Sequence, residues 1–296
     1  MTSASQKSHR GTIFPTQAEI LSHDAFAGDQ YIMRVQAIDI AKHAQAGSFV
    51  HIQCDPSLPM RRPISIMRVD QDSGWVEFLY KVFGEGTRLL SQRKVGETLD
   101  LFGPIGVPFK LHSDRTRPLL IGGGVGIPPM IYLADEMRSQ KKIYSSPFVI
   151  MGSEVPFPFS PRPSTIMPAG MPDGTIACMP LLEDWGIASR LTSTQGYPGC
   201  FDGYVTDLAR HYLDALDKQQ RTQIEVFSCG PTIMLKAVAQ LAKDYNLPCQ
   251  VSLEEHMACA VGGCAGCTVK VETRNGPAMK RVCVDGPVFD AHQVVF

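Results

Sequence analysis

Several features that would place a chain quickly are missing from this sequence. No run approaches the ~18 consecutive apolar residues that a membrane-spanning helix needs. The opening residues, MTSASQKSHR, have no apolar stretch of signal-peptide type. They read as a short mobile tail, and a cytoplasmic location is expected. Charge of either sign is not in excess, with 28 Lys and Arg against 29 Asp and Glu. Neither nucleic acid nor an acidic membrane surface is therefore advertised as a partner. No internal repeat or low-complexity tract is present, and no catalytic dyad of nucleophile and base stands out. What remains is an ordinary globular composition, 44% hydrophobic and 19% charged, able to bury a sizeable core. The length of 296 residues suits two domains with a small third unit.

Cysteine is not scarce, and its distribution is the strongest signal. Five of the nine (Cys54, Cys178, Cys200, Cys229, Cys249) are scattered, while Cys259, Cys264, Cys267 and Cys283 crowd together near the end. A disulfide framework would spread its cysteines, so clustering points to a metal. The spacing is C-x4-C-x2-C-x15-C, the plant-type [2Fe–2S] pattern with three ligands on one loop and the fourth arriving from a distance. In the loop CAVGGCAGC, Gly262, Gly263 and Gly266 permit unusual backbone angles, and the alanines let N–H groups approach the sulfurs. A structural zinc site usually shows two C-x2-C knuckles, and one is present. A Rieske centre needs two histidines, and His256 is alone nearby. Four free core cysteines would be the bland alternative, for which three Cys within nine residues are poor material.

From Thr12 to about Leu111 the text is strand-like, with short runs such as QYIMRVQAI, SFVHIQC, WVEFLYKVF and ETLDLFG broken by Gly, Pro and Asp. Runs of that size predict an antiparallel barrel or sandwich. Beyond Arg117 strands and helices alternate, as in RPLLIGGG followed by PPMIYLADEMRSQ, which predicts βαβ units and a parallel sheet. The expected architecture is α+β and multidomain: a barrel over 11–112, an α/β domain over 113–248, and a cluster-binding module over 249–296. Residues 156–199, rich in Pro, Gly, Ser and Met with little periodicity, are expected to form a long insertion. It reads as a lid, a partner-facing loop or a plain surface excursion.

Two weaker motifs fall inside the barrel region. In Arg61-Arg62-Pro63-Ile64-Ser65-Ile66 an Arg beside a strand-borne Ser offers donors to a phosphate or a flavin edge, although such an Arg is more often a solvated charge. Lys81-Val82-Phe83-Gly84-Glu85-Gly86-Thr87 places glycines before a helical pattern, where N–H groups can hold a phosphate. The run Ile121-Gly122-Gly123-Gly124-Val125-Gly126 follows an apolar strand and opens a helix, the context of a dinucleotide-binding turn. Glycine also serves a tight turn with no ligand. Cys229, in Cys229-Gly230-Pro231 at a strand's carboxyl end, is placed to touch a nicotinamide ring or to be a small buried hydrophobe.

Taken in order, RRPISI, YKVFGEGT, GPIG, GGGVGIPPM, SCGP, SLEEHMACAVGGCAGC and RVCVDGPVF resemble the ferredoxin–NADP reductase superfamily. More narrowly, they resemble the electron-transfer subunits of NAD-linked dihydroorotate dehydrogenases, from about Thr12 to the C-terminus. The resemblance implies a FAD-binding barrel, an NAD-binding α/β domain and a terminal [2Fe–2S] module. It implies FAD contacts from Arg62, Pro63, Ile64, Ser65, Leu79, Tyr80, Lys81, Gly86 and Thr87. Gly122, Gly123, Gly124 and Gly126 would approach the NAD diphosphate, with Cys229 near the nicotinamide. Cys259, Cys264, Cys267 and Cys283 would hold the irons. It also implies a catalytic flavoprotein partner in a heterotetramer. No (β/α)8 barrel is readable, so this chain alone is not expected to oxidise dihydroorotate. Two departures stand out: the 156–199 stretch is longer than the family's usual connection, and the cluster loop is altered at Ala260, Gly263 and Gly266. A reductase module of another redox complex is the runner-up reading. A redox-sensing or structural metal protein without turnover is the alternative from another class.

Overall fold

A computed structural model describes residues 13–296. The N-terminal tail and the first two residues of the expected barrel domain lie outside the described residues. Six strands, β1 (Phe14–Phe26), β2 (Gln30–Gln36), β3 (Phe49–Ile52), β4 (Arg62–Asp70), β5 (Trp75–Lys81) and β6 (Thr98–Ile105), close into an antiparallel barrel in the order β1-β2-β5-β4-β3-β6. Alternate residues fill it: Ala18 and Ile20, Met33 and Val35, Val50 and Ile52, Ile64 and Ile66, Val76 and Phe78, Leu99 and Leu101. Period-two patterning forces this, because successive side chains of a strand point to opposite faces. Two short helices, α1 (Ile38–His43) and α2 (Glu85–Leu90), interrupt the strands. The outer wall at β3 and β6 is apolar as well. There Phe49 and Ile105 belong to a second core, shared with the C-terminal part of the chain.

The following part builds a seven-stranded sheet. Its elements in chain order are β7 (Leu119–Gly123), α3 (Ile127–Ser139), β8 (Phe148–Gly152), β9 (Arg162–Pro163), β10 (Ala177–Cys178), α4 (Pro180–Asp184), β11 (Ala188–Ser193) and β12 (Phe201–Asp202). After these come α5 (Val205–Ala215), α6 (Lys218–Arg221), β13 (Val226–Cys229), α7 (Thr232–Asp244) and β14 (Cys249–Ser252). The end of the chain adds β15 (Thr268–Thr273), β16 (Gly276–Arg281), α8 (Val282–Asp285) and β17 (Val288–Asp290). The sheet order is β12-β11-β8-β7-β13-β14-β17, parallel throughout except at β17. Chain order reverses between β7 and β13, so a ligand crevice is expected outside the carboxyl ends of those two strands. Helix α7 covers the sheet with Leu235, Val238, Leu241 and Ala242, a spacing that puts all four on one face.

Helix α3 locks the two units together. Tyr132 donates its hydroxyl hydrogen to the Ala44 carbonyl at 2.9 Å, and the Ala46 N–H donates to Glu136 at 2.7 Å. Burial pushes the Glu136 carboxyl up, and only the Ala46 bond opposes it.

The structure redraws two expectations. Residues 156–199 are not one insertion, because β11 lies within them as an interior strand between β8 and β12. A buried arginine in the middle of that strand hid it from an apolar-pattern reading. The rest of the stretch is built rather than loose. Glu183 accepts from the N–H and hydroxyl of Thr165 at 2.7 and 2.8 Å and from Ser164 at 2.8 Å. Gln30 of the barrel donates to the Pro156 carbonyl at 2.7 Å. Trp185 lies beneath the guanidinium groups of Arg68 and Arg138. At the other end, β14 and β17 fall within 249–296 yet complete the sheet, so only the segment between them stands apart from it.

Candidate functional site: a cavity at the seam and a four-thiol loop

A cavity of about 630 Å³ opens where the barrel, the sheet and the C-terminal segment meet. The barrel contributes Pro63, Ile64, Ser65, Leu79, Tyr80, Lys81, Phe83 and Thr87, and the sheet contributes Val125 and Thr232. The residues from Ser252 to Met257 close the third side. Its position outside β7, β13 and β14 is the crevice that the strand order predicts.

The sequence-predicted residues divide over this geometry. Arg62 is off the cavity lining but packed against Gly86, where an added Cβ would come 2.9 Å from Nε. Its Nη1 donates to the carbonyls of Met60 and Arg61 at 2.9 and 3.2 Å. The Thr87 hydroxyl accepts from the Phe83 N–H at 2.8 Å, which shapes the turn. The Tyr80 hydroxyl lies 2.7 Å from His23 Nε2, and His23 Nδ1 lies 2.8 Å from the Arg93 carbonyl. A carbonyl only accepts, so Nδ1 carries the proton; in the neutral ring Tyr80 then donates to Nε2.

The glycines after β7 are not equivalent. A Cβ at Gly126 would meet the Cys229 carbonyl oxygen at 2.2 Å, one at Gly123 the Met234 sulfur at 2.4 Å, and one at Gly122 the Ile127 Cα at 3.0 Å. These three are small because protein packs against them. Gly124 has φ +54° and nothing within 4 Å of an added Cβ, so it alone of the four offers bare backbone to open space. Glycine takes that left-handed conformation at little cost.

Cys229 is fully buried, and its thiol donates to Glu254 Oε1 at 3.9 Å. Burial, and next the Glu254 carboxyl, push this thiol well above its ordinary range. Glu254 lines the cavity, where water reaches it, while protein crowds its other sides; that desolvation raises its carboxyl too. The pair puts a carboxyl of raised proton affinity at the cavity wall. Glu254 and Ser252 were not singled out from sequence, and the doubled acid of SLEEHM was the available signal.

The four clustered thiols pair off. Cys267 and Cys283 are buried with sulfurs 3.4 Å apart, and the Cys264 N–H donates to the Cys259 sulfur at 3.4 Å. Among the described residues no three Cys, His, Asp or Glu side chains converge on one ion. Four thiols gathered at one loop are the donor set of an iron–sulfur group. Burial pushes Cys259 up, but the N–H groups of Cys264 and Val261, then the Cys264 thiol and the Gly263 N–H, outweigh it and hold the thiol down to about 6. Burial and the Cys267 neighbour push Cys283 up to about 12, so a bound cation is what would ionise it. The donor chemistry therefore fits an iron–sulfur group. The expectation about loop angles is corrected in part. Positive φ falls on Ala260 (54°), Gly262 (84°) and Ala265 (55°), not on Gly263 or Gly266. Those two glycines face sulfur instead, an added Cβ lying 4.0 Å from Cys259 Sγ and 3.5 Å from Cys264 Sγ.

A closed six-stranded barrel followed by a mostly parallel sheet, with a cavity at the seam, defines the ferredoxin–NADP reductase class of fold. The structure superposes on that of an NADH-dependent reduced ferredoxin–NADP oxidoreductase with a TM-score of 0.73 and 25% identity, over 95% of this chain and 90% of the other. It also matches a ferredoxin reductase in carbazole 1,9a-dioxygenase (TM-score 0.61, 20% identity, 80% and 67% covered). A family model described as the iron–sulfur cluster binding domain of dihydroorotate dehydrogenase B matches residues 254–295. The chain is 32% identical to the dihydroorotate dehydrogenase B (NAD(+)) electron transfer subunit of Desulforamulus reducens, over 94% of this chain and 97% of the relative. It is 33% identical to that of Caldanaerobacter subterraneus, over 95% and 98%. The chain belongs to the family of dihydroorotate dehydrogenase B electron transfer subunits. Among the described residues no helix is long and apolar enough to cross a membrane.

Proposed function

We propose that this chain carries electrons between NAD(H) and a catalytic dihydroorotate dehydrogenase subunit, using FAD and a [2Fe–2S] cluster, within a heterotetramer of two subunit types. The observation that carries the reading is the continuity of the cavity wall. Its third side, Ser252 to Met257, runs directly into Cys259. When bound, FAD would supply the exchange between two-electron and one-electron transfers, and the cluster a one-electron exit.

The barrel, 11–112 in this reading, holds the flavin through Pro63, Ile64, Ser65, Leu79, Tyr80, Lys81 and Thr87, with Arg62 and Gly86 at its diphosphate. The α/β unit, 113–248, receives the dinucleotide over Gly124 and Val125. Gly122, Gly123 and Gly126 let the strand, the helix and the Cys229 backbone pack closely beneath it. Cys229 and Glu254 bound the nicotinamide end, orienting the ring and holding a proton at Glu254. Cys259 with Cys264, and Cys267 with Cys283, would hold the two irons. Exposure of Cys264 at the protein surface supports an exit toward the partner.

The test is anaerobic purification followed by NADH titration, read by absorption and electron paramagnetic resonance (EPR). Flavin bleaching with a rhombic reduced-cluster signal is expected. Bleaching without that signal would remove the cluster relay, and no bleaching would remove the nicotinamide–flavin step. Reduction of the holoprotein by dihydroorotate only when the catalytic subunit is added would identify the partner.

A further inference from the structure

His51, in the middle of β3, is fully buried, and neither Nδ1 nor Nε2 has a hydrogen-bond partner. Buried polar side chains are nearly always paired, so an imidazole idle at both nitrogens calls for a physical reason. Its surroundings indicate one. Strand alternation puts it on the same face as Phe49, which lines the cavity. Its cross-strand partner on β4 is Pro63, also of the cavity. Phe102 of β6 meets the ring edge-on at 5.3 Å, and the Arg61 guanidinium lies 5.2 Å from that same Phe102 ring. The fourth side is the backbone of Met257, two residues before Cys259. Burial drives the ring down to about 4, with the Arg61 and Arg62 charges reinforcing it and the backbones of Met257 and Arg61 opposing it. The imidazole is therefore neutral and has one N–H to give.

We propose that His51 is a positioning residue that couples the flavin wall to the cluster loop. With both cofactors in place its ring N–H donates to the Met257 carbonyl and holds the limb from Met257 to Cys259 against the barrel. The inference rests on the function proposed above. The Cys259 sulfur takes its hydrogen bonds from the backbone just beyond it, so a shift of this limb changes how those N–H groups meet the sulfur. Groups that orient ligand segments in this way tune both a metal centre's signature and its electron exchange.

The experiment uses anaerobically prepared, FAD-containing protein as wild type, His51→Phe and His51→Gln. It measures FAD content, the EPR spectrum after dithionite reduction, and the stopped-flow rate at which electrons from NADH reach the cluster. His51→Phe fills the space without a donor. It is expected to keep FAD, move the g values of the reduced cluster, and slow electron arrival about tenfold. His51→Gln restores an N–H and is expected to return both readouts toward wild type. A Phe variant with wild-type spectrum and rate would overturn the proposal. So would a Gln variant that behaves as Phe, or loss of FAD together with the cluster, which marks a general packing role. Wild-type protein without a reduced-cluster signal would overturn the functional reading itself, before any substitution is compared.

Discussion

Arg62 lies flat against the bare backbone of Gly86, so close that a Cβ there would sit 2.9 Å from Nε, 3.1 Å from Cζ and 3.2 Å from Nη2. Backbone carbonyls occupy Nη1, which leaves Nε and Nη2 over the turn that opens α2. In the proposed flavin site, a guanidinium held this way would act as a preset anion clamp, with its side-chain entropy already spent in the free protein.

That contact makes Gly86→Ala informative. Gly86 does not have positive φ, so alanine suits the helix and by itself strengthens it, by up to about 1 kcal/mol. The methyl group displaces Arg62 all the same. FAD affinity is expected to fall about tenfold, or about 1.4 kcal/mol, in Gly86→Ala and at least as much in Arg62→Ala. Titrating apoprotein with FAD and following flavin fluorescence measures both. Unchanged affinity in the two variants would take this contact out of the flavin site.

The two cofactor sites should separate genetically. The residues assigned to the flavin lie on β4, β5 and α2, whereas the four thiols lie on the loop before β15 and on α8. Cys264 is exposed and supports only its own limb of the loop. Cys264→Ser is expected to abolish the reduced-cluster EPR signal and leave the flavin absorption intact. Joint loss of both would show that the loop is needed to build the cavity's third wall.

Glu254 predicts a pH dependence whose sign can be worked out. Burial raises its folded-state carboxyl, so between its unfolded and folded values the native state binds the extra proton. Stability from this group is lost as pH rises through that window, and the cost is complete above it. Glu254→Gln removes the cost. The variant is expected to be more resistant to urea than wild type at pH 8 and indistinguishable near pH 4. Its flavin should bleach more slowly with NADH, because the wall no longer holds a titratable proton. Equal urea midpoints at pH 8 would mean that the cavity solvates the carboxylate fully.

The iron–sulfur segment was the most legible part of the candidate site, because cysteine spacing along a loop survives in one dimension. The barrel strands and the strand–turn–helix after β7 were legible for the same reason, through period-two and period-3.6 patterns. What stayed hidden depends on neighbours distant in sequence. Nothing in GGGVG distinguishes Gly124, facing open space, from Gly126, pressed on the Cys229 carbonyl. Nothing in CAVGGCAGC indicates that Ala260 and Ala265 take the left-handed angles while Gly263 and Gly266 face sulfur. Glu254 gained its partner only when β13 and β14 paired. β11 was hidden by its own sequence, ASRLTS, in which a charge occupies an interior position.

That charge is Arg190, fully buried; burial disfavours its charged form, and Cys178 and the Glu183 carboxylate oppose that. Its Nε donates to the Thr175 carbonyl at 3.0 Å, Nη1 to Ser189 at 2.7 Å and Nη2 to Ile166 at 2.7 Å. One planar fork thus pins the excursion between β8 and β11 to β11 itself, which explains how a Pro- and Gly-rich stretch holds one conformation. Arg190→Leu would withdraw the arginine donor from three carbonyls, that of Ile166 keeping the Ser164 hydroxyl at 3.0 Å, and a loss of about 3 kcal/mol is expected. Arg190→Lys should recover little, since an ammonium cannot span three acceptors in a plane. Urea unfolding measures the loss, and hydrogen exchange should show protection falling first over residues 164–179. FAD content should hold in native conditions, because the barrel closes without this segment. A leucine variant as stable as wild type would mean that the carbonyls find water, and that the excursion is held by its apolar contacts instead.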